Sequence, residues 1–344
     1  MRAERLPTID ALRGLASLAV CWFHLTNGNE RFLPAGPLKT SGEYGWAGVE
    51  VFFVLSGFVI PHALSRGKYR LADFGRFALK RITRLDPPYL VNIALVLVLG
   101  YLSSKTPGFE GSAFSFEPYR TALHLAYLNA FSGQPWLNPV YWTLAIEFQY
   151  YLLMGLFFPL IQTRYAAVLA IAFCALGVYL PKTHLIFHFA ALFLMGIVTF
   201  RFKERTLSKN AFFFLTACLV AISYASLGLF LSVLGAATAL AIAFARLENP
   251  PLLFLGAISY SLYLIHVPIG GRLINLSLRL DLGLAGKGLV LLMSLAVAIL
   301  TAYFFYVLVE RPSQRLSARI DYRRTKRALA AGREPLECAR SRVG

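Results

Sequence analysis

Long apolar runs recur along this chain, broken by short polar or basic stretches. Ten of them approach the roughly 20 residues that a helix needs to cross a bilayer: 7–27, 47–65, 85–103, 140–161, 165–181, 185–200, 211–227, 229–246, 252–270 and 286–309. Two pairs are joined so tightly, by Pro181-Lys182-Thr183-His184 and by Gly228, that each reads as a helical hairpin. The stretch 120–131 is apolar but too short to span, and reads as a re-entrant or surface helix. The pattern therefore predicts an all-α integral membrane protein, a bundle of about ten transmembrane helices. No internal repeat of the kind that marks many transporters stands out.

Charge gives this bundle a direction. With a cytoplasmic N-terminus, the inner segments carry 25 of the 34 Lys and Arg residues and the outer loops carry 8. That asymmetry follows the positive-inside rule and predicts that both termini are cytoplasmic. It divides the chain into a membrane domain, 1–311, and a basic cytoplasmic tail, 312–344, suited to anionic lipid. Composition agrees: 57% of the residues are hydrophobic, only 15% are charged, and the mean hydropathy is +0.60. The net charge of +17 is thus a topology signal, and nucleic acid is excluded as a partner. Arg13 interrupts the first run, and no small-residue cleavage pattern follows it, so that segment reads as an uncleaved helix. Cys21, Cys174, Cys218 and Cys338 have no ligand or disulfide spacing, and no metal site is expected.

Ionisable residues within a span are expensive, and they usually face a protein interior or a watery cavity. Arg13 and His24 lie about three turns apart on nearly one face of the first helix, roughly 16 Å along its axis. Translating position into depth puts His24, Glu50, Glu147 and His266 in one outer-half layer, with Trp142 and Tyr150 beside it. Arg13 lies in the inner half with Arg76, Lys80, Arg81, Arg84 and Glu310. A cationic inner mouth and a His/carboxylate layer some way above it suit a polyanion with a long thin arm, and acyl-coenzyme A is such a molecule. Plainer readings exist for several residues. Asp10 and Arg13 are i,i+3 neighbours able to pair, Glu310 and Arg311 can close the last helix as an ion pair, and His62, His124, His184 and His188 read as structural or interfacial.

Six segments in order make the chain recognisable: "IDALRGLASLAVCWFH" (9–24), "GVEVFFVLSGFVI" (48–60), "FALKRITRLDPPYL" (77–90), "YWTLAIEFQYYLL" (141–153), "ISYSLYLIHVP" (258–268) and "VERP" (309–312). Together they resemble acyltransferase family 3, multi-pass membrane enzymes that O-acylate polysaccharides, lipids and related hydroxyl acceptors. The resemblance implies that His24 of the R-x10-H pattern is catalytic and that Arg13 belongs to the donor site. It places the R-x-x-R element on Arg81 and Arg84, the Glu of the W-x-L-x-x-E segment on Glu147, and a Tyr-Ser…His segment on Tyr260, Ser261 and His266.

The expected reaction is transfer of an acyl group, acetyl in the first place, from cytoplasmic acyl-CoA to a carbohydrate or glycolipid hydroxyl at the inner membrane. His24 is the candidate base, with Glu147 or Glu50 orienting its ring; acylation of His24 itself is the other route. Arg13, Lys80, Arg81 and Arg84 are the candidates for binding the donor, and Trp142, Tyr150, Tyr260, Ser261 and His266 for lining the substrate site. No permanently bound cofactor is expected, membrane lipids are the other partners, and the polar loop 104–138 is a candidate for acceptor selection. A transporter or flippase, or an enzyme acting on a lipid or small natural product, is the rival reading.

Overall fold

The computed structural model describes residues 6–107, 114–163, 165–180 and 185–321, and all regular structure among them is helical. The helices that matter here are α1 (Pro7–Asn27), α2 (Gly48–Arg66), α3 (Phe74–Ser104), α4 (Pro118–Leu125), α5 (Tyr141–Ile161), α6 (Ala166–Tyr179), α7 (Ala190–Lys203), α8 (Lys209–Phe244), α9 (Pro250–Ala257), α10 (Ser259–Ile265), α11 (Arg272–Ser277), α12 (Leu284–Phe305) and α13 (Arg311–Ala318). Two π-helical turns, His266–Gly271 and Tyr306–Glu310, follow α10 and α12. Among the described residues six helical runs are long and apolar enough to cross a membrane, or seven if the pair Pro250–Ala257 and Ser259–Ser277, bent by 60°, counts as one span.

All ten predicted segments fall on helices, and the lower number of qualifying spans has physical causes. α1 is long enough at 21 residues, but Asp10, Arg13 and His24 lower its apolarity. α6 has 14 residues, too few to span unaided. The segments 211–227 and 229–246 form the single run α8, 36 residues long. That run is nevertheless a hairpin. Gly228 sits at φ +79°, a left-handed conformation that L side chains rarely adopt, and the rings of Phe212 and Phe244 lie 5.9 Å apart. In a straight helix those positions would be about 48 Å apart. α6 and the segment that follows it also approach closely, with the Phe173 and Phe187 rings 5.1 Å apart. The connection at 181–184, including His184, lies outside the described residues.

The expected span at 85–103 begins a full eleven residues earlier, at Phe74, and α3 continues through Pro87 and Pro88. Prolines inside a helix remove N–H donors and loosen the turn before them. Just before this pair the Leu85 carbonyl accepts a hydrogen bond from the Tyr260 hydroxyl at 2.9 Å.

α1 packs against α2, α9, α10 and α12, so the helix carrying Arg13 and His24 is surrounded by protein on several sides. Small residues set these distances. A Cβ on Gly14 would lie 2.6 Å from the Leu252 carbonyl oxygen, and one on Gly57 would lie 2.2 Å from that of Phe193. Such contacts let backbones approach closely where water offers no driving force between helices. The loop between α3 and α5 folds back through α4. His124 is fully buried, its Nδ1–H donates to the Arg120 carbonyl at 2.8 Å, and its Nε2 accepts from the Leu137 N–H at 3.1 Å. Tyr127 stacks on Tyr89 and Phe148 and donates to Asp86. Beyond the last span, α13 packs on α3, and Lys80 Nζ donates to the Ile320 carbonyl at 3.1 Å. Residues 322–344, most of the predicted basic tail, lie outside the described residues.

Candidate active site

The first part of the site is a pair of imidazoles. His24, half-buried on α1, and His266, fully buried at the start of a π-helical turn, approach with Nδ1 of His24 3.2 Å from Nε2 of His266. Turns of this type frequently occur at functional sites. The protons on both rings can be assigned from the backbone. His24 Nδ1 lies 2.9 Å from the Val20 carbonyl oxygen, and His266 Nδ1 lies 2.9 Å from that of Leu262. A carbonyl can only accept, so both Nδ1 atoms carry hydrogen. His266 Nε2 is then the acceptor for a second, shared hydrogen bond from His24 Nδ1. His24 Nε2 is left with its lone pair and has no hydrogen-bond partner among the described residues.

The second part is a cluster of arginines and carboxylates. Arg84 lies within electrostatic reach of Arg13, Arg81, Tyr151 and Glu310. Arg81 is buried, with its guanidinium over the rings of Phe77 and Tyr151 at 5.4 and 5.5 Å and its Nε unpartnered. The Tyr151 hydroxyl donates to Glu147 Oε1, which also accepts from Ser56 Oγ at 3.0 Å. Glu310 accepts from Ser261 through both its hydroxyl (2.5 Å) and its N–H (3.1 Å), and from Gln314 Nε2 at 2.8 Å. Glu310 therefore ties α13 to α10, in place of the expected pairing with Arg311.

The predicted site residues divide between these two parts. His24 and His266 meet, while Arg13 and Arg84 lie within electrostatic reach of Glu310, Arg81 lies beside Arg84, and Tyr260 is within electrostatic reach of Glu310, Glu147 and Tyr151. Lys80 borders the cluster but is tied to the chain just beyond α13, at the Ile320 carbonyl. Glu147 departs from its expected place in the histidine layer. It joins the arginine side because Tyr151, one turn further along α5, reaches back to it, as helix side chains lean towards the N-terminus. The ring of His24 is thus held by another histidine. Glu50 is 4% exposed in the first turn of α2, with Oε2 unpartnered and Tyr263 within its electrostatic reach. Trp142 packs against Phe53 and Phe189, and Tyr150 stacks on Phe193 at 4.3 Å, so both serve the α2–α5–α7 packing.

Sequence reasoning passed over Tyr151, Ser56 and Tyr263. The Tyr263 ring lies 6.0 Å from His266 and its hydroxyl is 2.6 Å from Thr143 Oγ1. Tyr151 and Tyr263 bridge the two parts of the site, and their helical spacing from Glu147 and His266 was the available signal.

The family comparison identifies the kind of chain that carries these residues. A family described as an acyltransferase domain, acyltransferase 3, matches residues 6–310. This chain belongs to that family. Its apolar helices make it a multi-pass membrane protein. Among curated relatives it is 30% identical over 167 residues to the O-acetyltransferase OatA of Staphylococcus aureus, which covers 46% of this chain and 25% of that protein. It is also 30% identical over 161 residues to the peptidoglycan O-acetyltransferase OatA of Listeria monocytogenes, covering 44% of this chain and 24% of that one. The matched region thus spans about a quarter of those relatives. No solved structure matches this chain.

Proposed function

We propose that this acyltransferase moves an acetyl group from acyl-CoA, taken up on the cytoplasmic side, to a carbohydrate hydroxyl of the peptidoglycan type on the other side of the inner membrane. The observation that carries this reading is the free, basic Nε2 of His24, set by the two hydrogen bonds on its Nδ1. In the reaction the acceptor hydroxyl loses its proton to Nε2 as its oxygen forms the new bond to the thioester carbonyl carbon. The C–S bond then breaks, and the departing thiolate takes a proton from the imidazolium, restoring His24 for the next turnover.

The arginines supply the donor's other need. CoA carries several phosphate charges, and guanidinium groups recognise phosphate through paired, charge-assisted hydrogen bonds. Arg13, Arg81 and Arg84 form that surface, with Lys80 at its edge. The roughly 16 Å of helix between Arg13 and His24 suits the pantetheine arm. The excess of Lys and Arg in alternate loops supports a ten-span orientation with both termini cytoplasmic and the arginines inward. The carbohydrate acceptor rests on the names of the relatives.

The test is radiolabelled acetyl transfer in membranes containing the wild type or His24→Ala. The variant, still membrane-inserted, is expected to lose roughly 10²–10⁴-fold in rate. Near-normal transfer by that variant would sink the proposal, and solute flux without acylated product would favour a transport path.

A further inference from the structure

The end of the bundle that holds the imidazole pair also carries a cation with no part in the donor site. Arg272 opens α11 directly after the π-helical turn that bears His266. That turn packs against α1, where a Cβ on Gly270 would lie 2.9 Å from Leu25 Cδ2, next to His24. The Arg272 side chain folds back over the turn: Nη1 donates to the Pro268 carbonyl at 2.9 Å, and Nε reaches Ser103 Oγ at 3.4 Å. Ser103 lies near the far end of α3 from Arg84, roughly 28 Å along the helix axis. Arg272 therefore stands apart from the arginine cluster. One turn on, Asn275 Oδ1 accepts from Asn29 Nδ2 at 2.7 Å, which ties α11 to the segment after α1.

A second observation points to a ligand. Arg272 is half-buried, yet no carboxylate among the described residues lies within its electrostatic reach. A cation drawn out of water ordinarily has a counter-charge. A guanidinium also has five N–H donors, of which the two bonds above engage one on Nε and one on Nη1. Nη2 has no partner among the described residues. The two bonds thus hold the planar fork in place and leave its Nη edge free, a pre-organised geometry that matches a planar oxyanion.

We propose, building on the function above, that Arg272 binds a carboxylate of the acceptor glycan and seats the acceptor at the histidine end of the bundle. The carboxylate takes paired, charge-assisted N–H···O bonds from the free edge of the guanidinium. Because Arg272 is anchored to the turn that bears His266, a glycan held by it is fixed in position relative to the imidazole pair, and its hydroxyl meets the base by orientation rather than by chance. Glycans of the peptidoglycan type carry such carboxylates on their sugar and peptide units, whereas a neutral glycan offers none. The phosphate of a lipid headgroup has similar chemistry, but an arginine that served the membrane would be indifferent to the charge of the acceptor.

The experiment measures acetyl transfer from acetyl-CoA by vesicles carrying the full chain as wild type, Arg272→Gln or Arg272→Lys. The acceptors are a soluble peptidoglycan fragment with free carboxylates and the same fragment with its carboxylates amidated. The wild type is expected to favour the free acid by about tenfold in kcat/KM. Arg272→Gln should bring that ratio close to one, chiefly by raising the KM for the acid form, with the KM for acetyl-CoA unchanged. Arg272→Lys, which keeps the charge but loses the fork, should fall between them and provides the reading if the Gln variant fails to insert. Equal use of both fragments by the wild type would overturn the carboxylate contact while leaving the acetyl-transfer reaction intact. An equal loss on both fragments in the variants would assign Arg272 to the packing of the turn and overturn the proposal. So would a rate that follows the anionic lipid content of the vesicles and not the charge of the fragment, which would give the arginine to a headgroup phosphate. Failure of the wild type to acetylate either fragment would overturn the acceptor class and this inference with it.

Discussion

At the scale of residues, the informative feature is that a histidine, and not a carboxylate, holds the proposed base. A carboxylate beside His24 would stabilise the imidazolium by charge, whereas His266 offers a lone pair and fixes the tautomer. His266 is accordingly a positioning residue. His266→Ala is expected to lower kcat for acetyl transfer roughly tenfold to a hundredfold with an unchanged KM for acetyl-CoA. His266→Gln, which retains an acceptor, should recover part of the loss. An equal fall in kcat and rise in donor KM, with no difference between Ala and Gln, would assign His266 a merely structural role. His24 and Arg13 were legible in the sequence because ionisable groups in an apolar helix are costly and therefore conspicuous. The contact with His266 was not, because it joins residues 242 positions apart and depends on how two helices rotate about their axes. Tyr151 was invisible for another reason: tyrosine is ordinary in apolar helices, and only the packing reveals a bridging hydroxyl.

At the scale of elements, hydrophobic pattern located every helix on the path of the site but misjudged where some begin and end. α3 runs through Pro87 and Pro88, and one α8 run conceals the reversal at Gly228 that a single glycine in the sequence had announced. The loop after α3 announced only a short helix at 120–131, which α4 partly occupies, and gave no sign that one side chain clasps it. His124 must be neutral to accept the Leu137 N–H. Burial, chiefly, and the nearby Arg120 charge hold it below the ordinary histidine value of 6.5, against the opposing pull of the Arg120 carbonyl. The unfolded or undocked loop binds this proton more readily than the docked one. The clasp is therefore fully present above about pH 6.5 and weakens as pH falls below it. Amide exchange at Leu137, followed by mass spectrometry between pH 7.5 and 5.5 after correction for intrinsic rates, should show protection falling with pH. The same series on His124→Phe should lose that dependence; a pH-dependent profile persisting in the variant would remove His124 from the clasp.

At the scale of the whole molecule, the basic loops that orient the bundle and the arginines that face its interior are parts of one charge distribution, and they have separable roles. Arg66, Lys68 and Arg70 lie in or beside the turn between α2 and α3, where the positive-inside rule acts on position alone. Arg81 and Arg84 lie further along α3, where Glu310 and Tyr151 face them across the bundle and prevent the cluster from being only repulsive. In the proposed reaction this cluster serves an anionic ligand, the CoA nucleotide, whose phosphates differ in placement. Arg84→Ala is expected to raise the KM for acetyl-CoA about tenfold while leaving kcat within about threefold, since its electrostatic neighbours are Arg13, Arg81, Tyr151 and Glu310 rather than the imidazoles. Comparing acetyl-CoA with its analogue lacking the 3′-phosphate locates the contact. If Arg84 reads that phosphate, the wild type discriminates between the two donors and Arg84→Ala does not. If it reads the pyrophosphate, both donors weaken in parallel. Unchanged KM values for both donors, in Arg84→Ala and in the double variant with Arg81→Ala, would show that the phosphates bind elsewhere, and the path from arginines to histidines would no longer describe the route of the acyl group.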